Sequence, residues 1–159
     1  MKYYNDIRDL IGNTPILKLN NISTKEGVNI YAKIEGTSPG GSCKDRVGIY
    51  MVEKAEKEGK LKPGITIIEA TAGNTGIGIA LAAINKGYKI IFIVPDKFSI
   101  EKQKIMKALG AEIINTPKEE GMEGAINLAN SLLSEIPNSL SLNQFKNEAN
   151  PLAHYETTG

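Results

Sequence analysis

The sequence predicts an α/β protein: an open parallel sheet with helices on both faces, preceded by strands that belong to another sheet. Three observations carry this expectation. From residue 66 onward, short β-branched runs alternate with longer helical patterns, the order that lays strands side by side beneath crossover helices. The first forty residues instead hold two strand-like runs with no crossover helix between them, which suits a separate sheet. At 159 residues the chain is long enough for one ordinary domain with a real core.

In chain order, ILKL (16–19) and NIYAKIE (29–35) read as the two early strands, separated by the polar loop NNISTKEGV. PGG and Ser42 then make a turn and an N-cap for a helix from Ser42 to Glu58, whose apolar stripe runs through Val47, Tyr50, Met51 and Ala55. TIIEA (66–70) is a buried strand, GNTGIGIALAAINKG a helix apolar nearly all round, KIIFIVP (89–95) a second strand, and SIEKQKIMKALG a helix closed by Gly110. The unit repeats with AEIINT (111–116) and with GMEGAINLANSLLSEI, striped through Ala125, Leu128, Ala129, Leu132 and Leu133, and ends in a shorter fourth strand, SLSLNQF (139–145). NPLAHYETTG (150–159) reads as an N-capped helix with Pro151 at its first position and Gly159 as a stop. The expected organisation is residues 1–41 as strands of a larger domain, 42–146 as a small α/β domain, and 147–159 as a segment returning to the larger domain, which is cut off near its beginning.

Nineteen basic and eighteen acidic residues leave a charge of +1 with no long run of either sign, so no footprint for nucleic acid or a membrane surface exists and a small molecule is the expected partner. The single cysteine, Cys43, precludes an internal disulfide, and MKYYNDIRDLIGN has neither the basic flank nor the apolar run of a signal peptide. A cytoplasmic protein is expected, and the longest apolar run, IIFIV, is too short for a bilayer.

Lys44 falls on the inward stripe in the first turn of its helix, where desolvation and the positive helix end both oppose its charge. That setting favours an amine able to attack an aldehyde and later to carry a proton, although a lysine there could equally run its stem along the surface into water. The loop TAGNTGIG (71–78) lies between a buried strand and a helix start, at the carboxyl end of the sheet. Its glycines let the backbone approach an anion, and Thr71, Asn74 and Thr75 add side-chain donors. As a dinucleotide fingerprint it is imperfect, because Leu81 stands where the third glycine belongs, yet Asp96 could serve as a ribose-binding acid. A nucleotide- or NAD-binding domain is therefore an alternative reading, and a non-catalytic relative is another. Gln144 ends the fourth strand on the same edge. His154 suits packing or capping, Cys43 suits a small buried side chain, and no metal site is readable.

Taken together, IGNTPILKL (11–19), PGGSCKDR (39–46), EATAGNTGIGIA (69–80), LGAEIINTP (109–117) and NQFKNEANPLAHYETTG (143–159) resemble the cysteine synthase and cystathionine β-synthase family, pyridoxal 5'-phosphate enzymes of the tryptophan synthase β-subunit fold (fold type II). The resemblance covers the whole chain. It implies that Lys44 binds the cofactor's aldehyde, that Asn74 hydrogen-bonds its phenolic oxygen, and that Thr71, Ala72, Gly73, Asn74 and Thr75 grip the substrate carboxylate while Gln144 closes on it from the other side. The implied reaction replaces the β-substituent of O-acetylserine or serine with a thiol, by way of an aminoacrylate, giving cysteine or cystathionine. Ala72, where many cysteine synthases have serine, looks more like the branch that takes homocysteine. Members run to about twice this length, are usually homodimers, and carry their phosphate loop beyond the point matched by Gly159.

Overall fold

A computed structural model describes residues 1, 3–20, 22, 27–71 and 73–159. Two sheets form. The first is an antiparallel pair, β1 (Ile16–Lys18) with β2 (Tyr31–Lys33), in register Leu17 to Ala32. The second is a parallel sheet of β3 (Thr66–Ala70), β4 (Lys89–Pro95), β5 (Glu112–Thr116) and β6 (Ser139–Leu140), in the spatial order β5-β4-β3-β6. The helices are α1 (Lys44–Lys57), α2 (Asn74–Ala83), α3 (Ile100–Ala108), α4 (Gly121–Glu135) and α5 (Ala149–Ala153), the last running into a π-helical turn, His154–Thr158. The expected α/β class is present, with the two early strands in their own sheet.

Strand alternation divides the core between the two faces of the sheet. Ile67, Phe92 and Val94 point into a cluster with Val47, Met51, Ile79 and Met106 of the first three helices. Ile68, Ala70 and Ile93 point the other way, onto Ala125 and Ala129 of α4. Helix α2 is buried from Thr75 to Ala83 because it lies among α1, α3 and the sheet, and this is why its sequence is apolar on every side.

Three boundaries depart from the sequence expectation. Helix α1 begins at Lys44 with Cys43 at the N-cap position; Ser42 still accepts the Lys44 N–H, at 3.2 Å, and Cys43 is half-buried rather than enclosed. The run 139–145 pairs only at Ser139 and Leu140, since the backbone N–H groups of Asn143 and Gln144 bond the Glu69 carboxylate at 3.1 Å instead of extending a ladder. Pro151 is the third residue of α5, not the first, and the Gly159 N–H closes a wide turn on the His154 carbonyl at 2.9 Å.

Candidate active site

Strand order reverses at β3: β4 and β5 are added on one side and β6 on the other. The crevice beyond the carboxyl ends of β3 and β6 is therefore the switch point at which open parallel sheets bind ligands. Thr71 follows β3 there, and Gln144 stands four residues beyond β6.

The loop after β3 is shaped by its own backbone needs. Gly73 precedes α2 with φ 152° and ψ −88°, a conformation that a side chain would strain. Thr71 is 1 % exposed, and its Oγ1 accepts the N–H groups of Gly73 (3.3 Å) and Gly76 (3.1 Å), so its hydroxyl oxygen caps the start of α2. Thr75 is buried and Asn74 half-buried in the first turn. Ala72 lies outside the described residues.

The glycines of this segment do different work from that expected of an anion cradle. A Cβ on Gly76 would overlap the Met106 sulfur of α3, and one on Gly78 would overlap the Lys44 carbonyl. Gly48 of α1 sits in turn against the Gly78 carbonyl. Helices α1 and α2 thus cross backbone to backbone, and the crossing sets Lys44, half-buried, beside the first turns of α2. On the other side of the crevice the Gln144 carboxamide donates to the Ala70 carbonyl at 3.3 Å, next to Thr71. The sequence-derived residues Lys44, Thr71, Gly73, Asn74, Thr75 and Gln144 accordingly gather at one end of the sheet.

Charges beyond the crevice fix the segment that carries Lys44. The Arg46 guanidinium donates to Glu35 (2.8 and 2.9 Å), to Thr14 (3.1 Å) and to the Thr157 carbonyl (3.2 Å), tying α1 to the early strands and to the final turn. The Arg46 hydrogen bond holds the Glu35 carboxyl below its ordinary range against the opposing effect of burial. His154, bonded through Nδ1 to Thr158 Oγ1 at 2.9 Å, has its imidazole pushed below its ordinary value by burial and then by the Lys44 charge. This residue, expected to pack or cap, therefore also lies within the field of Lys44. Asp96 is exposed at the end of β4.

Two residues at the site carried little signal of their own. The Lys102 stem of α3 covers Gly73, closely enough that a Cβ there would meet its Cδ at 2.5 Å; in sequence it is one more lysine on a helix surface. Glu69, 3 % exposed in β3, faces the Gln144 segment; a lone acid inside TIIEA was the available hint.

The family described as pyridoxal-phosphate dependent enzyme matches residues 7–159. The chain belongs to that family. Pyridoxal phosphate is the cofactor of these enzymes. An O-acetylserine dependent cystathionine beta-synthase of Bacillus subtilis is 56 % identical over 159 residues, covering all of this chain and 52 % of the relative. Mouse cystathionine beta-synthase is 50 % identical over 158 residues, 96 % of this chain and 28 % of that protein. The crystal structure of an O-acetylserine dependent cystathionine beta-synthase from Helicobacter pylori superimposes with a TM-score of 0.91 at 48 % identity, over 99 % of this chain and 52 % of that one. The chain thus spans about half the length of the bacterial relatives. These structural neighbours are fold type II pyridoxal-phosphate enzymes.

The donor set fits one end of the cofactor. A half-buried amine at Lys44 and a half-buried carboxamide at Asn74 suit an aldehyde and the ring oxygen beside it. The crossing at Gly78 brings the Lys44 backbone against α2: the two helix backbones touch there, with no side chain to separate them.

Proposed function

We propose that the chain forms part of a β-replacement enzyme acting on O-acetylserine or serine, with sulfide or homocysteine as acceptor and cysteine or cystathionine as product. The observation that supports this reading is the close approach of the Lys44 backbone to Gly78, in the helix that starts at the donor-rich loop. Pyridoxal phosphate, when bound, supplies an electron sink for charge developing on the substrate α-carbon. Lys44 holds the cofactor aldehyde and serves as the base whose Nζ takes and returns the α-proton. Asn74 donates to the ring oxygen. The backbone and hydroxyl groups of Gly73, Asn74 and Thr75, with Thr71 setting the loop, orient the substrate carboxylate, because an anion at a helix start gains several charge-assisted hydrogen bonds at once. Ala72, next to Thr71 in sequence, favours homocysteine as acceptor. Gln144 completes the grip from the β6 side, and removal of water strengthens each of these contacts.

Residues 1–41 and 147–159 are assigned to a larger domain and 42–146 to a small mobile one. The phosphate anchor belongs to the part of the relatives that this chain does not match, so the 159 residues alone bind the cofactor poorly. A homodimer in the cytoplasm is the expected setting of the whole enzyme.

The test is a chimaera in which residues 1–159 replace the matching half of the Bacillus subtilis relative. It should convert O-acetylserine and a thiol to the thioether or cysteine. Lys44→Ala should lower kcat/KM by roughly 10²–10⁴ or more, the scale of losing a positioned base, and a variant that kept parental activity would remove Lys44 from the mechanism.

A further inference from the structure

Resting on the reading of Gln144 as a substrate-carboxylate ligand, we infer that Glu69 is the positioning residue that aims it. Leu142 anchors this part of the chain in the core, but packing does less for the residues that follow it. Between residues 141–146 and α4 opens a cleft of about 440 Å³, lined by Ser141, Asn143 and Phe145 on one side and Ile126, Ala129 and Leu133 on the other, and Phe145 is 72 % exposed. Residues bordering such a cleft take their position from directed bonds more than from packing.

The Glu69 carboxylate provides them. Its Oε2 accepts the Ser141 hydroxyl at 2.7 Å and the Asn143 N–H at 3.1 Å, and its Oε1 accepts the Gln144 N–H at 3.1 Å. Asn143 has φ 50°, the left-handed conformation that turns successive backbone N–H groups toward one point and so forms an anion-binding concavity. Here the anion is a side chain from the neighbouring strand, one residue before Ala70, whose carbonyl receives the Gln144 carboxamide. One buried carboxylate in β3 therefore ends β6, sets the backbone of Gln144, and holds its side chain beside the Thr71 loop. An unpaired Glu69 would be a buried charge without partners, which disfavours any other path for residues 141–144.

Amide hydrogen exchange on the 159-residue chain reads this clasp without cofactor or substrate. In Glu69→Gln an N–H group replaces one accepting oxygen, and exchange at Asn143 and Gln144 should accelerate roughly tenfold or more, the scale of losing a buried hydrogen bond, while β3 and β4 amides stay protected. Asn143→Ala strains the concavity without touching β3 and should do the same, and Asn143→Gly should restore protection. In the chimaera, Glu69→Gln should raise KM for the amino-acid donor with a smaller change in kcat, and adding Gln144→Ala should raise KM no further. Unchanged exchange at 143 and 144 overturns the proposal, as does parental KM in Glu69→Gln when Gln144→Ala raises it. Parental KM in Gln144→Ala itself overturns the proposal together with the reading beneath it, and identifies that reading as the part that failed.

Discussion

Asp45, next to the lysine on which the proposed chemistry depends, is fully buried. Its Oδ2 accepts the Gly40 N–H at 2.6 Å, and its Oδ1 has no hydrogen-bond partner among the described residues. Burial pushes its carboxyl above the ordinary value of 3.8, against the pull of the Gly40 N–H. With the folded value above the unfolded one, the ionised carboxylate opposes folding at neutral pH. The penalty is relieved as pH falls through the raised value toward 3.8. Asp45→Asn keeps an oxygen for Gly40 and removes the charge. It should unfold at higher urea than the parent at pH 7, with the difference closing as pH approaches the ordinary carboxyl value. The other carboxylates are common to both chains, so the difference between them isolates Asp45; a gap that stayed constant with pH would show that its charge does not oppose the fold.

At the level of elements, the crossing of α1 and α2 is the feature that brings the site together. Gly78→Ala would drive a methyl into the Lys44 carbonyl, where backbone rather than a pliable side chain must yield. It should cost about 1–3 kcal/mol, the scale of overpacking a tight contact, and lower kcat in the chimaera by displacing Lys44; parental stability and activity would show that the helices need no such approach. Most elements were legible because their pattern is local: the apolar β-branched runs of TIIEA and KIIFIVP, the stripe of α4, and Gly110 with φ 93° after α3. The roles of Gly76 and Gly78 were not, since what they meet, Met106 and Lys44, lies about thirty residues away in either direction. The length assigned to β6 failed for a similar reason: SLSLNQF alternates like a strand, but a carboxylate from β3 captures its N–H groups. The candidate site residues rest on motif combinations, while Glu69 and Lys102 make contacts that no spacing reveals.

Across the whole molecule, the parallel sheet has a core on both faces, whereas the β1–β2 pair leaves Ile16, Leu17 and Tyr31 exposed. Two strands alone are marginal in water, and here the Arg46 network, with Glu35 two residues past β2, fastens them to α1. None of the helices among the described residues is long and apolar enough to cross a membrane. The architecture thus presents one edge of a candidate crevice, with an amine, a carboxamide and a donor-rich loop, in a chain about half as long as its bacterial relatives. In the proposed enzyme Lys44 is the amine that holds the cofactor. The direct measurement is borohydride reduction of the pyridoxal-phosphate-loaded chimaera followed by peptide mapping by mass spectrometry. The account predicts the reduced cofactor on the peptide containing Lys44 and its loss from that position in Lys44→Ala; stoichiometric label on a different lysine of the parent chimaera would contradict it.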